Sequence, residues 1–292
     1  MSKRRTSIPE KVKQTLREEV GFGCPVKGCG NPYLEYHHFD PPVHIAPHND
    51  PKGMIALCAQ HHKKADGDAY TIEQLHELKQ DKANAAHVRG NLDWLRHEML
   101  AVVGGSFYYE TPVILEMDGV EVISLKRDTD GYLRLSVNML SLCAEDRLVI
   151  DRNSWENIGK PSDLRSPPQG KELEVRYPNG DYLHVRFIEL LSQAHADKRY
   201  NSHPLREQSA FSYPITAVEV NLVIEGTGIE FNPRSTNIGF GTMTDCFHAH
   251  CGTAITVSNS GIPWAQNPVV KKAPIIETES GGNVIRVDFR TR

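Results

Sequence analysis

The stretch from Cys24 to His62 constrains this chain more than any other. It reads Cys24-Pro-Val-Lys-Gly-Cys29, then Glu35-Tyr-His37-His38, then Leu57-Cys58-Ala-Gln-His61-His62. Within about forty residues it gathers more thiols and imidazoles than one ion can use, which implies two metals with separate tasks. Cys24 and Cys29 have four residues between them and are flanked by Pro25, Gly28 and Gly30, a composition suited to a tight knuckle that aims two thiolates at one point. Cys58 and His61 are three apart at the start of a helix, so they share a face and complete a Cys3His tetrahedron, the closed form of a structural zinc site.

His62 points about 100° around the helix from His61. It therefore faces elsewhere and is left over from the zinc set. His37 and His38 follow the run Tyr33-Leu-Glu-Tyr36 at a strand end, where neighbouring side chains point to opposite sides. One of the pair could ligate a second metal while the other takes a proton.

These residues resemble the HNH endonucleases, a family built on two strands and a helix around one catalytic metal. The opening Ile8-Pro-Glu-Lys-Val and the Gly21-Phe-Gly-Cys24 stretch are similar to a zinc-knuckled branch of it, and the resemblance covers about residues 5 to 85. It implies that His38 is the general base and that His37 and His62 ligate a catalytic divalent ion. Cys24, Cys29, Cys58 and His61 would hold the structural zinc. Mg²⁺ or Mn²⁺ is the implied catalytic ion, although imidazole ligands also admit Ni²⁺ or Zn²⁺. Hydrolysis of a DNA phosphodiester follows, and added-domain members of the family act in bacterial restriction or phage defence. The middle Asn of the family name falls at Gly53, with Asn49 or His48 as candidates for its bracing role. A zinc-stabilised binding module that no longer cuts, and an RNA-directed nuclease, are the competing readings.

Charge refines the partner. The net charge is −4, which argues against bulk attraction to nucleic acid. The first hundred residues are nearly balanced, with 14 Lys and Arg against 13 Asp and Glu, and hold 9 of the 14 His. Local clusters remain as candidate DNA contacts: Arg4 and Arg5 beside Lys3, and Lys63 and Lys64 just past His62. Six cysteines, four of them in metal-type spacing, suit a reducing cytoplasm. No apolar run reaches membrane-spanning length, and the basic start has no apolar segment behind it.

The expected fold class is α+β. A ββα-metal head with flanking helices occupies residues 1–90, a helical linker 91–105, and an all-β recognition or regulatory part 106–292. In the head, Pro9 to Val20 predicts a helix capped by Ser7 or Thr6. Thr71-Ile-Glu-Gln74 predicts a capping box for a helix that runs on until Gly90. Leu92, Trp94, Leu95, Met99 and Leu100 suggest a short helix over Asn91 to Val103, serving as hinge or oligomer contact.

Beyond Phe107 the apolar period becomes two. Turns fall at Asp118-Gly119, Asp130-Gly131, Asn179-Gly180 and Gly281-Gly282, the last closing a hairpin into Val284 to Phe289. Gly226-Thr-Gly-Ile-Glu-Phe-Asn returns as Gly252-Thr-Ala-Ile-Thr-Val-Ser, so a sandwich or roll with solenoid-like rungs is expected. Cys246, His248 and His250 would share a strand face beside Cys251 and could hold a metal, though cores also bury such residues. Arg199, His203, Arg206 and Arg234 fall in expected loops and are candidates for reading a phosphate or a ligand. The β part would recognise a target or a trigger ligand, or build a homo-oligomer.

Overall fold

A computed structural model of the protein describes residues 7–83, 88–262 and the backbone of strand Ile285–Asp288. The architecture is α+β, with a small ββα region followed by two large sheets. In the first region α1 (Glu10–Glu19) precedes a two-stranded antiparallel ribbon, β1 (Leu34–His38) and β2 (Met54–Cys58). Leu34 pairs with Cys58, His37 with Ile55 and His38 with Met54. The chain passes directly from β2 into α2 (Ala59–Asp66), with Cys58 as the N-cap, and then into α3 (Ile72–Gln80).

Leu16, Val20, Leu34, Phe39, Ala65, Leu75 and all five residues of β2 form one apolar cluster there. β2 lacks alternation because both of its faces are covered, by α1 and by α2.

Three local expectations change. Pro9 stands at the N-cap of α1 with no side-chain hydrogen bond, so Ser7 does not cap it, and Thr6 lies outside the described residues. The Thr71–Gln74 capping box forms, but α3 ends at Gln80 rather than near Gly90. The chain then turns back, and the Ala83 N–H donates to the Val20 carbonyl at 2.9 Å. No short helix spans Asn91 to Val103: Arg89–Asn91 and Met99–Val103 are strands. The second of these is buried at every position and pairs in parallel with Ile215–Ile224. An apolar run covered on both faces carries no period of two, so its side chains also fit a helix.

One sheet carries, in spatial order, strands 285–288, 253–258, 113–117, 120–127, 133–138, 149–151, 154–156 and 89–91. The other runs 163–165, 172–176, 182–190, 215–224, 229–231, 236–238 and 241–243, with 99–103, 106–109 and 247–249 added beside 215–224. Ile114, Leu135 and Ile150 from the first sheet and Val185, Phe187, Val220 and Leu222 from the second belong to one core, which makes the pair a sandwich. The expected turns at Asp118-Gly119 and Asn179-Gly180 close hairpins between antiparallel strands.

The two copies of the Gly-Thr repeat do not stack as rungs, because Ile229–Phe231 and Thr253–Ser258 lie in different sheets. Strand Ile285–Asp288 pairs in parallel with Thr253–Ser258, and the hairpin expected at Gly281-Gly282 lies outside the described residues. Trp94 packs against the sandwich core, stacked 5.9 Å from Phe187.

The ββα region is tied to the sandwich by specific contacts. Arg17, 2 % exposed, donates from Nε and Nη2 to Asp163 at 2.9 and 2.7 Å and from Nη1 to the Tyr36 hydroxyl at 2.8 Å. The Tyr33 hydroxyl donates to the Asn91 carbonyl and accepts from the Asn91 N–H. Among the described residues no helix is long and apolar enough to cross a membrane.

Candidate metal centres

The knuckle and the start of α2 bring Cys24, Cys29, Cys58 and His61 together, with their ligand atoms all within 4.8 Å of one another. Cys24 Sγ and Cys58 Sγ lie 3.3 and 3.2 Å from His61 Nδ1, and Cys29 Sγ lies 3.8 Å from Cys58 Sγ. Zinc bonds of ~2.3 Å to sulfur and ~2.0 Å to nitrogen would give tetrahedral edges of ~3.8 Å between sulfurs and ~3.5 Å between sulfur and nitrogen. The donor set and its spacing therefore fit a structural metal such as zinc. Gly28 and Gly30, both at positive φ, make the knuckle possible. Burial pushes the Cys24 and Cys29 thiols up, and the Cys58 sulfur pushes both the same way. A divalent cation at the centre reverses that balance and stabilises the thiolates. Burial, and then Lys64, lower the His61 imidazole, favouring the neutral form that a metal requires.

A second cluster lies on the other side of the same helix turn. His37 Nδ1 is 3.2 Å from Asp66 Oδ1, and His62 Nδ1 is 3.4 Å from Asp66 Oδ2. The two imidazoles meet edge to face at 5.2 Å, and Glu35 Oε2 is 3.6 Å from His62. One nitrogen of each histidine and one carboxylate oxygen of Asp66 converge within 4.8 Å. His37 is lowered by burial first and by His62 second, while Asp66 pulls it upward. A His2Asp set of this kind can hold a divalent cation. Sequence reading missed Asp66, although its place one turn after His62 was the available signal.

His38, the next residue on β1, uses Nε2 to contact the His48 carbonyl at 3.0 Å. A carbonyl only accepts, so Nε2 is the donor in that contact. The His48 ring packs edge to face on His38 at 5.1 Å. It is itself held, with Nε2 2.9 Å from the Pro41 carbonyl and Nδ1 accepting from the Asp50 N–H. Of the two candidates for the bracing role, His48 contacts His38 through both its carbonyl and its ring. Gly53 has a separate reason: a Cβ there would stand 1.7 Å from the Asp40 carbonyl oxygen. Its own carbonyl accepts from the N–H groups of Phe39 and Asp40.

Comparison with protein-family models, with curated proteins and with solved structures returns no match.

The other candidates fall into place around these clusters. Lys63 and Lys64 are exposed on α2, whereas Arg4 and Arg5 lie outside the described residues. Cys246, His248, His250 and Cys251 form none of the metal-type groups among the described residues. The two thiols donate to the Thr244 and Ala249 carbonyls. His248 stacks on Tyr108 at 5.4 Å, and His250 takes a left-handed backbone that breaks the strand alternation.

Three of the four basic residues assigned to loops are helical. Arg199 lies on α4 (Gln193–Tyr200) and is paired with Glu219, while His203 and Arg206 lie on α5 (His203–Glu207) and contact Glu207 and Asp197.

Proposed function

We propose that the protein is a metal-dependent endonuclease of the HNH type that hydrolyses phosphodiester bonds in DNA. The observation that supports this most is the divergence of two adjacent imidazoles: His61 joins the thiols, and His62 joins His37 and Asp66. A purely structural zinc finger has no need of the second set.

On this reading His37, His62 and Asp66 would hold the divalent ion, Mg²⁺ or Mn²⁺ in the cell. Bound there, it supplies Lewis-acid stabilisation of charge on the phosphate. His38, oriented through Nε2 by the His48 carbonyl, takes the proton of the attacking water. Lys63 and Lys64 reach phosphates of the bound strand and make affinity fall with salt. Arg4 and Arg5 extend that contact. The sandwich recognises the target or a trigger, and a role in restriction or phage defence rests on analogy with the family alone.

The second reading is a zinc-stabilised binding module. It is favoured by the ion-pair distances already present between His37, His62 and Asp66. Supercoiled plasmid incubated with Mg²⁺ or Mn²⁺ separates the two, with wild type beside His38→Ala and labelled RNA in parallel. Nicking or linearisation by wild type alone supports the nuclease. Equal survival of DNA and RNA with both proteins supports the binding module.

A further inference from the structure

A cavity of about 680 Å³ opens on the outer face of the second sheet, remote in sequence from both metal clusters. That volume lies within the ~300–1,000 Å³ typical of small-molecule sites. Alternation along Tyr182–Leu190 sends Leu183, Val185 and Phe187 into the sandwich and leaves His184 and Arg186 on the cavity side. Val102, Phe107 and Pro233 supply apolar lining, and Arg199 and Arg234 line the same space as Arg186.

Arg186 is the unusual member. In register it sits between Glu172 and Glu219, the natural partners for a guanidinium. Glu219 is committed through both of its oxygens and Glu172 through Oε1, and although the Arg186 charge acts on Glu172, no hydrogen bond joins the two. Glu172 takes Arg165 at 2.6 Å and His184 at 3.0 Å, and Glu219 takes Arg199 at 2.6 Å and the Tyr200 hydroxyl at 2.8 Å. The Arg186 Nε is shielded from solvent with no hydrogen-bond partner among the described residues, an arrangement that costs free energy unless something else accepts from it. Arg234 likewise makes no ion pair among the described residues. Its loop is fixed in place: its N–H donates to Asn232 Oδ1, and a Cβ on Gly105 would stand 2.3 Å from its carbonyl carbon.

We propose that this cavity binds an organic phosphate of nucleotide size, its phosphate between Arg186 and Arg234 and its body against Val102, Phe107 and Pro233. Guanidinium forks match phosphate oxygens in geometry and charge. The site is a concavity in a sheet face, so it suits a free nucleotide or a single nucleotide extruded from a strand, not the convex backbone of a duplex. The inference is independent of the nuclease reading.

Titration calorimetry on the full chain tests it, using nucleoside mono- and triphosphates, inorganic phosphate and a short single-stranded oligonucleotide as separate probes. Arg186→Gln and Arg234→Gln should each weaken nucleotide binding about tenfold or more. Arg152→Gln, at an exposed arginine outside the cavity, should leave it unchanged. Arg234 is exposed, so its variant should keep the fold and can be read even if the Arg186 variant does not. Binding of the oligonucleotide alone, with the same sensitivity to the variants, would identify the strand as the source of the phosphate. Absence of binding by every probe, affinity indifferent to Arg186 and Arg234, or inorganic phosphate binding as tightly as any nucleotide would overturn the proposal.

Discussion

His62 Nδ1 lies 3.4 Å from Asp66 Oδ2, one helical turn further along α2. The same carboxylate reaches back to His37 on β1 at 3.2 Å, so it joins strand and helix at the edge of the second cluster. On the nuclease reading Asp66 is a ligand that cannot be replaced by an amide of the same shape without loss of charge. Asp66→Asn should lower plasmid cutting by about 10²-fold while leaving zinc content and thermal midpoint near wild type. Cleavage at increasing Mn²⁺ checks it, because a weakened site is rescued in part by excess metal.

Gly53 suggests an experiment with an unintuitive outcome. Restoring the family Asn by Gly53→Asn should reduce activity, since the new Cβ would collide with the Asp40 carbonyl, 1.7 Å away. The expected destabilisation is about 1–3 kcal/mol or more, as for other overpacked positions. Paired thermal melts and cleavage assays would show it; a gain in cutting would mean that the loop relaxes and that His48 is not the brace.

Arg17 links α1 to the sandwich from a buried position. Arg17→Ala leaves Asp163 and Tyr36 without their shared donor, and should cost about 3 kcal/mol. Urea unfolding measures this directly, with a drop in midpoint at unchanged slope.

Acid stability has one named contributor. The His184 hydrogen bond, aided by Arg165, pulls Glu172 down to about 2 from the ordinary 4.5. A carboxyl whose folded value is depressed stabilises the fold above its unfolded value, and this stabilisation is lost as pH falls from about 4.5 towards about 2. With allowance for solvent screening the contribution is on the order of 1 kcal/mol. Glu172→Gln should flatten the stability profile in that window, measured as unfolding midpoint against pH.

Legibility in the sequence followed the range of the forces involved. The zinc-type set could be read because its geometry is local: a glycine-flanked knuckle and a three-residue helical step place all four donors. The α+β class was equally plain, since the apolar period changes from helical to two near Phe107 and the turn dipeptides mark the hairpins. The strand Met99–Val103 was not legible, because burial on both faces erases alternation and its parallel partner lies more than a hundred residues away. The contact of His38 with His48 depends on how the loop between β1 and β2 folds back, which no periodicity encodes. Arg186 carried no signal either, as the missing hydrogen-bond partner of its Nε shows only once Arg165, His184, Arg199 and Tyr200 are placed on the neighbouring carboxylates.

On the proposed reading His61 and His62 serve different ions. Zinc content by mass spectrometry, measured on the same preparations as plasmid cleavage, tests it in Cys58→Ser and His62→Ala. Cys58→Ser should lose zinc and melt the ββα region, because a structural metal contributes folding free energy outright. His62→Ala should keep one zinc per chain and its fold but no longer cut. Loss of zinc from both variants, or undiminished cutting by His62→Ala, would contradict it.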